Sequence, residues 1–137
     1  MHDDDYEQLI GFINNFYNIL VRQEVHRFFP DQHQQSFARA LEDLDRYFDQ
    51  VDRGLRIHRR PKKLYQAGLW GNQLEFKLGV FNDAYQNISQ MRTRETIARG
   101  LDAGIIIMES IGKAFPMAEA ITETAKVGKH ILENGRV

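Results

Sequence analysis

Apolar residues recur through most of this chain in steps of four and three, and proline interrupts the pattern only at residues 30, 61 and 116. That period keeps side chains on one face of an α-helix and does not fit the two-residue alternation of a half-buried strand. The sequence therefore predicts an all-α fold. A first helix is expected from about Asp5 to Phe29, with Leu9, Ile13, Phe16 and Leu20 inward and Phe12, Ile19, Val25 and Phe28 widening the stripe. Pro30 stops it, because proline disfavours helix in the residue before it.

A second helix is expected from Asp31, a plausible N-cap. Phe37, Leu41, Leu44, Phe48, Val51 and Leu55 step 4-3-4-3-4 along it, the spacing of a bundle helix. Glu42–Arg46, Asp49–Arg53 and Asp52–Arg56 are acid-before-base pairs four residues apart on its outer face. Residues 59–71 hold Pro61, Gly68 and Gly71 and read as a loop. A third helix opens at Asn72, with Glu75 completing a variant of the capping box, and turns Leu74, Leu78, Phe81, Tyr85 and Ile88 inward.

A fourth helix is expected from about Thr93, with Ile97, Leu101, Met108, Ile111 and Phe115 inward. Gly100, Gly104 and Gly112 each lower its helix propensity by roughly 1 kcal/mol, and small residues there allow a neighbouring helix to approach. Arg99, Asp102, Glu109 and Lys113 form its wet face. Ile106 lies on that face, so another chain or the C-terminal tail is expected to cover it. A fifth helix starts at Pro116; its stripe of Ala118, Ile121, Ala125, Gly128 and Leu132 is thin, the mark of a docked or fraying appendage. The expected architecture is an antiparallel four-helix bundle over residues 1–116 with an additional C-terminal helical tail over residues 117–137.

The 137 residues suffice for one domain with a real core. No cysteine occurs, which excludes disulfides and thiol chemistry and fits a cytoplasmic location. The acidic start is unlike a signal peptide, and the longest apolar run, Ile105 to Met108, is far too short to cross a bilayer. The five histidines form no Glu-x-x-His pair and no four-residue spacing with another ligand type on an apolar stripe, so no metal or cofactor is expected. Phosphate-loop, dinucleotide and nucleophile-elbow motifs are missing as well.

One charge anomaly stands out. Residues 53–63 read RGLRIHRRPKK, with six Lys or Arg and no acid. The twelve residues before them carry five acids and one Arg, and the rest of the chain has a formal charge of about −7. Cations near a helix C-terminus complement its dipole, which accounts for Arg53, Arg56 and Arg59. Arg60, Lys62 and Lys63 extend past the helix. With Tyr65 close by, they suit a nucleic-acid backbone and base stacking. Trp70, further along, suits a seal at the end of the bundle. Arg53-x4-His58 also has the spacing of the Arg/His pair in helical ribonucleases of the HEPN type, where His serves as general base. Gly54 stands where that family usually carries a polar residue.

Lys63-Leu64-Tyr65, then Ala67, then Leu74-Glu75-Phe76-Lys77-Leu78 and Phe81, resembles the third helix of the Avd family, the accessory variability determinants of diversity-generating retroelements, related to the "four helix bundle protein" group. Tyr6-Glu7, Phe29-Pro30 with Phe37 and Arg39, and Ile111-Gly112-Lys113 agree in order and spacing, so the resemblance covers about residues 6–115. Glu75 and Gly79 depart from a pattern in which Arg is common.

The resemblance implies a non-enzymatic bundle that assembles as a homo-oligomer, a cyclic pentamer, and binds a reverse transcriptase and its RNA or DNA in support of mutagenic retrohoming. The expected contacts to nucleic acid or partner are Arg53, Arg56, His58, Arg59, Arg60, Lys62, Lys63 and Tyr65, with no catalytic residue. Two alternatives stay open: a protein interaction and assembly module without nucleic-acid binding, and a small HEPN-type ribonuclease using Arg53 and His58.

Overall fold

The computed structural model describes residues 3–22, 25–29, 31–57, 72–113 and 115–134. Among them are six α-helices and no strand: α1 (Asp3–Tyr17), α2 (Asp31–Leu41), α3 (Leu44–Ile57), α4 (Asn72–Gln90), α5 (Arg94–Gly112) and α6 (Ala118–Asn134). The fold is all-α. Helix α5 is central, packing along α4 on one side and α6 on the other, while α1 touches α3, α4 and α5.

The first expected helix is shorter than its apolar stripe suggests. Helix α1 ends at Tyr17 and passes into a π-helical turn, Asn18–Arg22, and then a 3-10 turn, Val25–Phe28. A π turn inserts a residue into the helical register. Ile19 and Leu20 are neighbours in sequence, and both are fully buried there.

The expected second helix is two helices, broken at Glu42 and Asp43. The Glu42 amide reaches back only three residues to the Arg39 carbonyl. Neither Pro nor Gly marks the break. Its cause is tertiary: Phe37 on α2 faces Phe29, with ring centroids 4.8 Å apart, whereas Phe48 on α3 faces Phe16 and Tyr17 on α1. One straight helix would not serve both targets.

Helices α4 and α5 form where expected. Thr93 caps α5, accepting from the Thr96 amide, while the Thr96 hydroxyl accepts from the Thr93 amide, a reciprocal box that satisfies two otherwise unpaired donors. The glycines of α5 admit close neighbours as expected at two of three places. A Cβ on Gly104 would lie 2.3 Å from the Phe16 ring, and one on Gly100 would lie 2.4 Å from Ile88. Gly112 has only an ordinary contact at 3.6 Å, to Glu119.

Helix α6 is docked rather than fraying. It starts at Ala118, two residues after Pro116, and buries Ala118, Ile121, Ala125, Ile131 and Leu132 against its neighbours. Its stripe is thin because it sits close. At Gly128 a Cβ would come within 3.0 Å of Phe37, so a larger residue there would push α2 away. Ile106, however, stays 46% exposed; α6 does not cover it.

Candidate functional site

The candidate site is the exposed end of α3, where the basic stretch begins. Val51 and Leu55 are buried and fix the rotation of the helix, which turns Arg53 and Arg56 outward. Gly54 lies beneath the Phe115 ring, 2.6 Å from where a Cβ would stand. A side chain at 54 would collide with Phe115, so packing alone accounts for glycine at this place.

Both arginines are engaged along their own helix. Arg53 pairs with Asp49 at 3.0 Å and Arg56 donates from Nε to Asp52 Oδ2 at 2.8 Å, as the four-residue spacing predicts. Exposed pairs of this kind contribute about 0.3–0.5 kcal/mol each, so they orient the arginines more than they hold the fold. The third expected pair differs: Arg46 lies 4.0 Å from Asp43 and is not paired with Glu42, because the helix breaks between those residues and the ones that follow. The second oxygen of Asp52, Oδ1, is enclosed and accepts no hydrogen bond from a described residue. His58, Arg59, Arg60, Lys62, Lys63 and Tyr65 lie outside the described residues, as does Trp70.

Sequence reasoning missed a second charged region, between α5 and α6. Lys129 bridges Asp102 at 2.8 Å and Glu133 at 3.8 Å, and Lys126 reaches Glu109 at 3.5 Å. The hydrogen bond that Lys129 donates to Asp102 outweighs partial burial and, with the charges of Asp102 and Glu133, holds the Lys129 ammonium above its ordinary 10.5. A cleft of about 390 Å³ runs beside this bridge, floored by Ala98 and Leu132 and rimmed by Arg94, Arg99 and Glu95. Arg94 also donates to the Phe28 carbonyl at 3.2 Å, tying the start of α5 to the 3-10 turn. The signal in the sequence was the acids at 102 and 109 matched by lysines three residues apart on the last helix. Recognising it required knowing that α5 and α6 lie side by side.

Among the described residues no group of three or more His, Asp or Glu converges as a metal site, and no helix is long and apolar enough to cross a membrane. No protein-family model, curated protein or solved structure matches this chain.

Proposed function

We propose that this chain is a non-enzymatic accessory protein that binds nucleic acid, and a reverse transcriptase working on it, through the basic joint following α3. The observation that carries the reading is that the two arginines at the end of α3 are paired to acids of their own helix, which leaves the basic run that continues from it as the unbalanced charge. The two arginines are already balanced by Asp49 and Asp52. The unbalanced charge belongs to Arg59, Arg60, Lys62 and Lys63, which follow within a few residues and have no acid among them. Concentrated cations of this kind displace the counterions of a phosphate backbone, a favourable term that grows as salt is lowered. Tyr65 supplies a ring on which a base can stack. The resemblance to the Avd family supplies the polymerase partner and the homo-oligomeric state.

The test is binding of fluorescent single-stranded RNA by anisotropy. Binding is expected at about 50 mM salt and a steep loss by about 200 mM. Absence of binding at the lower salt would refute the nucleic-acid part of the reading. RNA cleavage that disappears in His58→Ala would replace the reading with the ribonuclease alternative.

A further inference from the structure

Helix α2 buries least of the six described helices. Of its eleven residues only Phe37 is buried, Leu41 is half-buried at its end, and most of the others are exposed. The next helix, α3, is anchored along its whole length by buried Leu44, Phe48, Val51 and Leu55. Phe37 seats in a notch on α6. Its ring lies against Gly128, where a Cβ would stand 3.0 Å away, and edge-on to Phe29, at 4.8 Å between centroids. Among the described residues no side-chain hydrogen bond or ion pair ties α2 to another helix. Gln34 donates to the Phe29 carbonyl at 3.2 Å, back along the chain that leads into α2.

The helical ladder is broken at both ends of α2. It is interrupted at Glu42 and Asp43, where the Glu42 amide reaches back only to the Arg39 carbonyl. Before Asp31 the sequence has Pro30, which carries no amide proton to extend a ladder. Helix α2 is therefore a short rod between two breaks, held down by one ring. Segments with little buried apolar surface open by themselves, at a free energy below that of global unfolding.

We infer that α2 is a strap that swings open as one unit, with Phe37 as its latch and its two ends as hinges, while the other helices stay folded. Those helices hold together without it. Helix α5 packs along both α4 and α6, and α1 meets α5 where Phe16 lies against Gly104. Opening uncovers Gly128, on the stripe of α6 that carries Ala125 and Leu132, together with the Phe29 ring. The strap thus gates an apolar notch that is closed to water when Phe37 is seated. Its exposed Gln32, Gln35, Ser36 and Arg39 remain hydrated in either position. No residue of the basic run takes part, so the strap does not depend on the nucleic-acid reading.

The test is native-state hydrogen exchange of the full chain, read by mass spectrometry of its peptic fragments. In wild type the α2 amides are expected to exchange together, and at least about tenfold faster than those in the middle of α3 and α5. In low urea their exchange should respond less steeply than that of α5, because opening the strap exposes less surface than unfolding does. Gly128→Leu fills the notch and evicts Phe37, so α2 should lose most of its protection while α3 and α5 keep their wild-type rates. Phe37→Ala should do the same by removing the latch. Wild-type α2 amides that exchange only in step with α5 would overturn the inference. So would variants that speed α2, α3 and α5 alike, or that leave α2 as protected as before.

Discussion

Replacing Gly104 by alanine tests the packing at the centre of the fold. The new methyl would lie 2.3 and 2.4 Å from two carbons of the Phe16 ring and 3.0 Å from a third. Phe16 cannot turn aside: it is fully buried, with Phe12 at 5.5 Å, Phe81 at 6.2 Å and Phe48 at 6.3 Å between centroids. Relief requires α1 and α5 to separate by roughly 1 Å, which loosens contacts along both helices. Overpacking of this kind costs about 1–3 kcal/mol, and the severity of the contact puts it at the upper end. Alanine returns about 1 kcal/mol through helix propensity, leaving a net loss of about 2 kcal/mol. Gly11, inside α1, is the control, because a Cβ there meets nothing within 4 Å. Gly11→Ala should gain up to about 1 kcal/mol from the same propensity term. Urea unfolding followed by circular dichroism at equal protein concentration measures both. Equal stability of the two variants would refute the claim that α1 and α5 meet at Gly104.

Phe37→Ala should cost about 3–5 kcal/mol in the same assay, because Phe37 is fully buried between Phe29 and Gly128 and its loss undocks α2 from α6. A cost below about 1 kcal/mol would mean that α2 is not anchored there. Lys129→Gln should reveal a pH-dependent bridge. The folded state holds the Lys129 proton more tightly than the unfolded chain does, so the bridge's stabilisation is complete below 10.5 and fades as pH rises through the higher folded value. The stability gap between wild type and variant should therefore be constant from about pH 7 to 9 and narrow above 10.5; a gap that persists at higher pH contradicts the assignment.

Much of this fold is legible along the chain because helical period and local capping are local properties. Leu74 to Ile88 and Ile97 to Ile111 declare α4 and α5 through spacing alone, and Thr93 marks the start of α5. The break between α2 and α3 was hidden, since Leu41 and Leu44 keep the period across it while Phe37 and Phe48 are drawn to different neighbours. The π turn was hidden for a different reason: a widened stripe on one continuous helix already places Ile19 and Leu20 inward, so their burial does not reveal the extra residue in the register. The thin stripe of α6 looked weak because small residues bury little area themselves. Gly128 instead admits Phe37, a partner 91 residues away in sequence. At the candidate site, the Asp49–Arg53 and Asp52–Arg56 pairs were readable from four-residue spacing. The fit of Gly54 under Phe115 was not, because it depends on a residue beyond the end of α5 reaching the end of α3, about sixty positions away in sequence.

The central claim is that the unbalanced second half of the basic run, rather than its paired first half, engages phosphate. The measurement is the slope of log binding constant against log salt for single-stranded RNA, compared across wild type, an Arg53→Ala/Arg56→Ala variant, and an Arg59→Ala/Arg60→Ala/Lys62→Ala/Lys63→Ala variant. Each phosphate contact contributes about 0.7 to that slope for a single strand, so removing the four charges should flatten it by about 3. Removing the two paired arginines should change it by less than about 1. A slope that the fourfold variant leaves intact, or that the Arg53/Arg56 variant flattens more, would contradict the account.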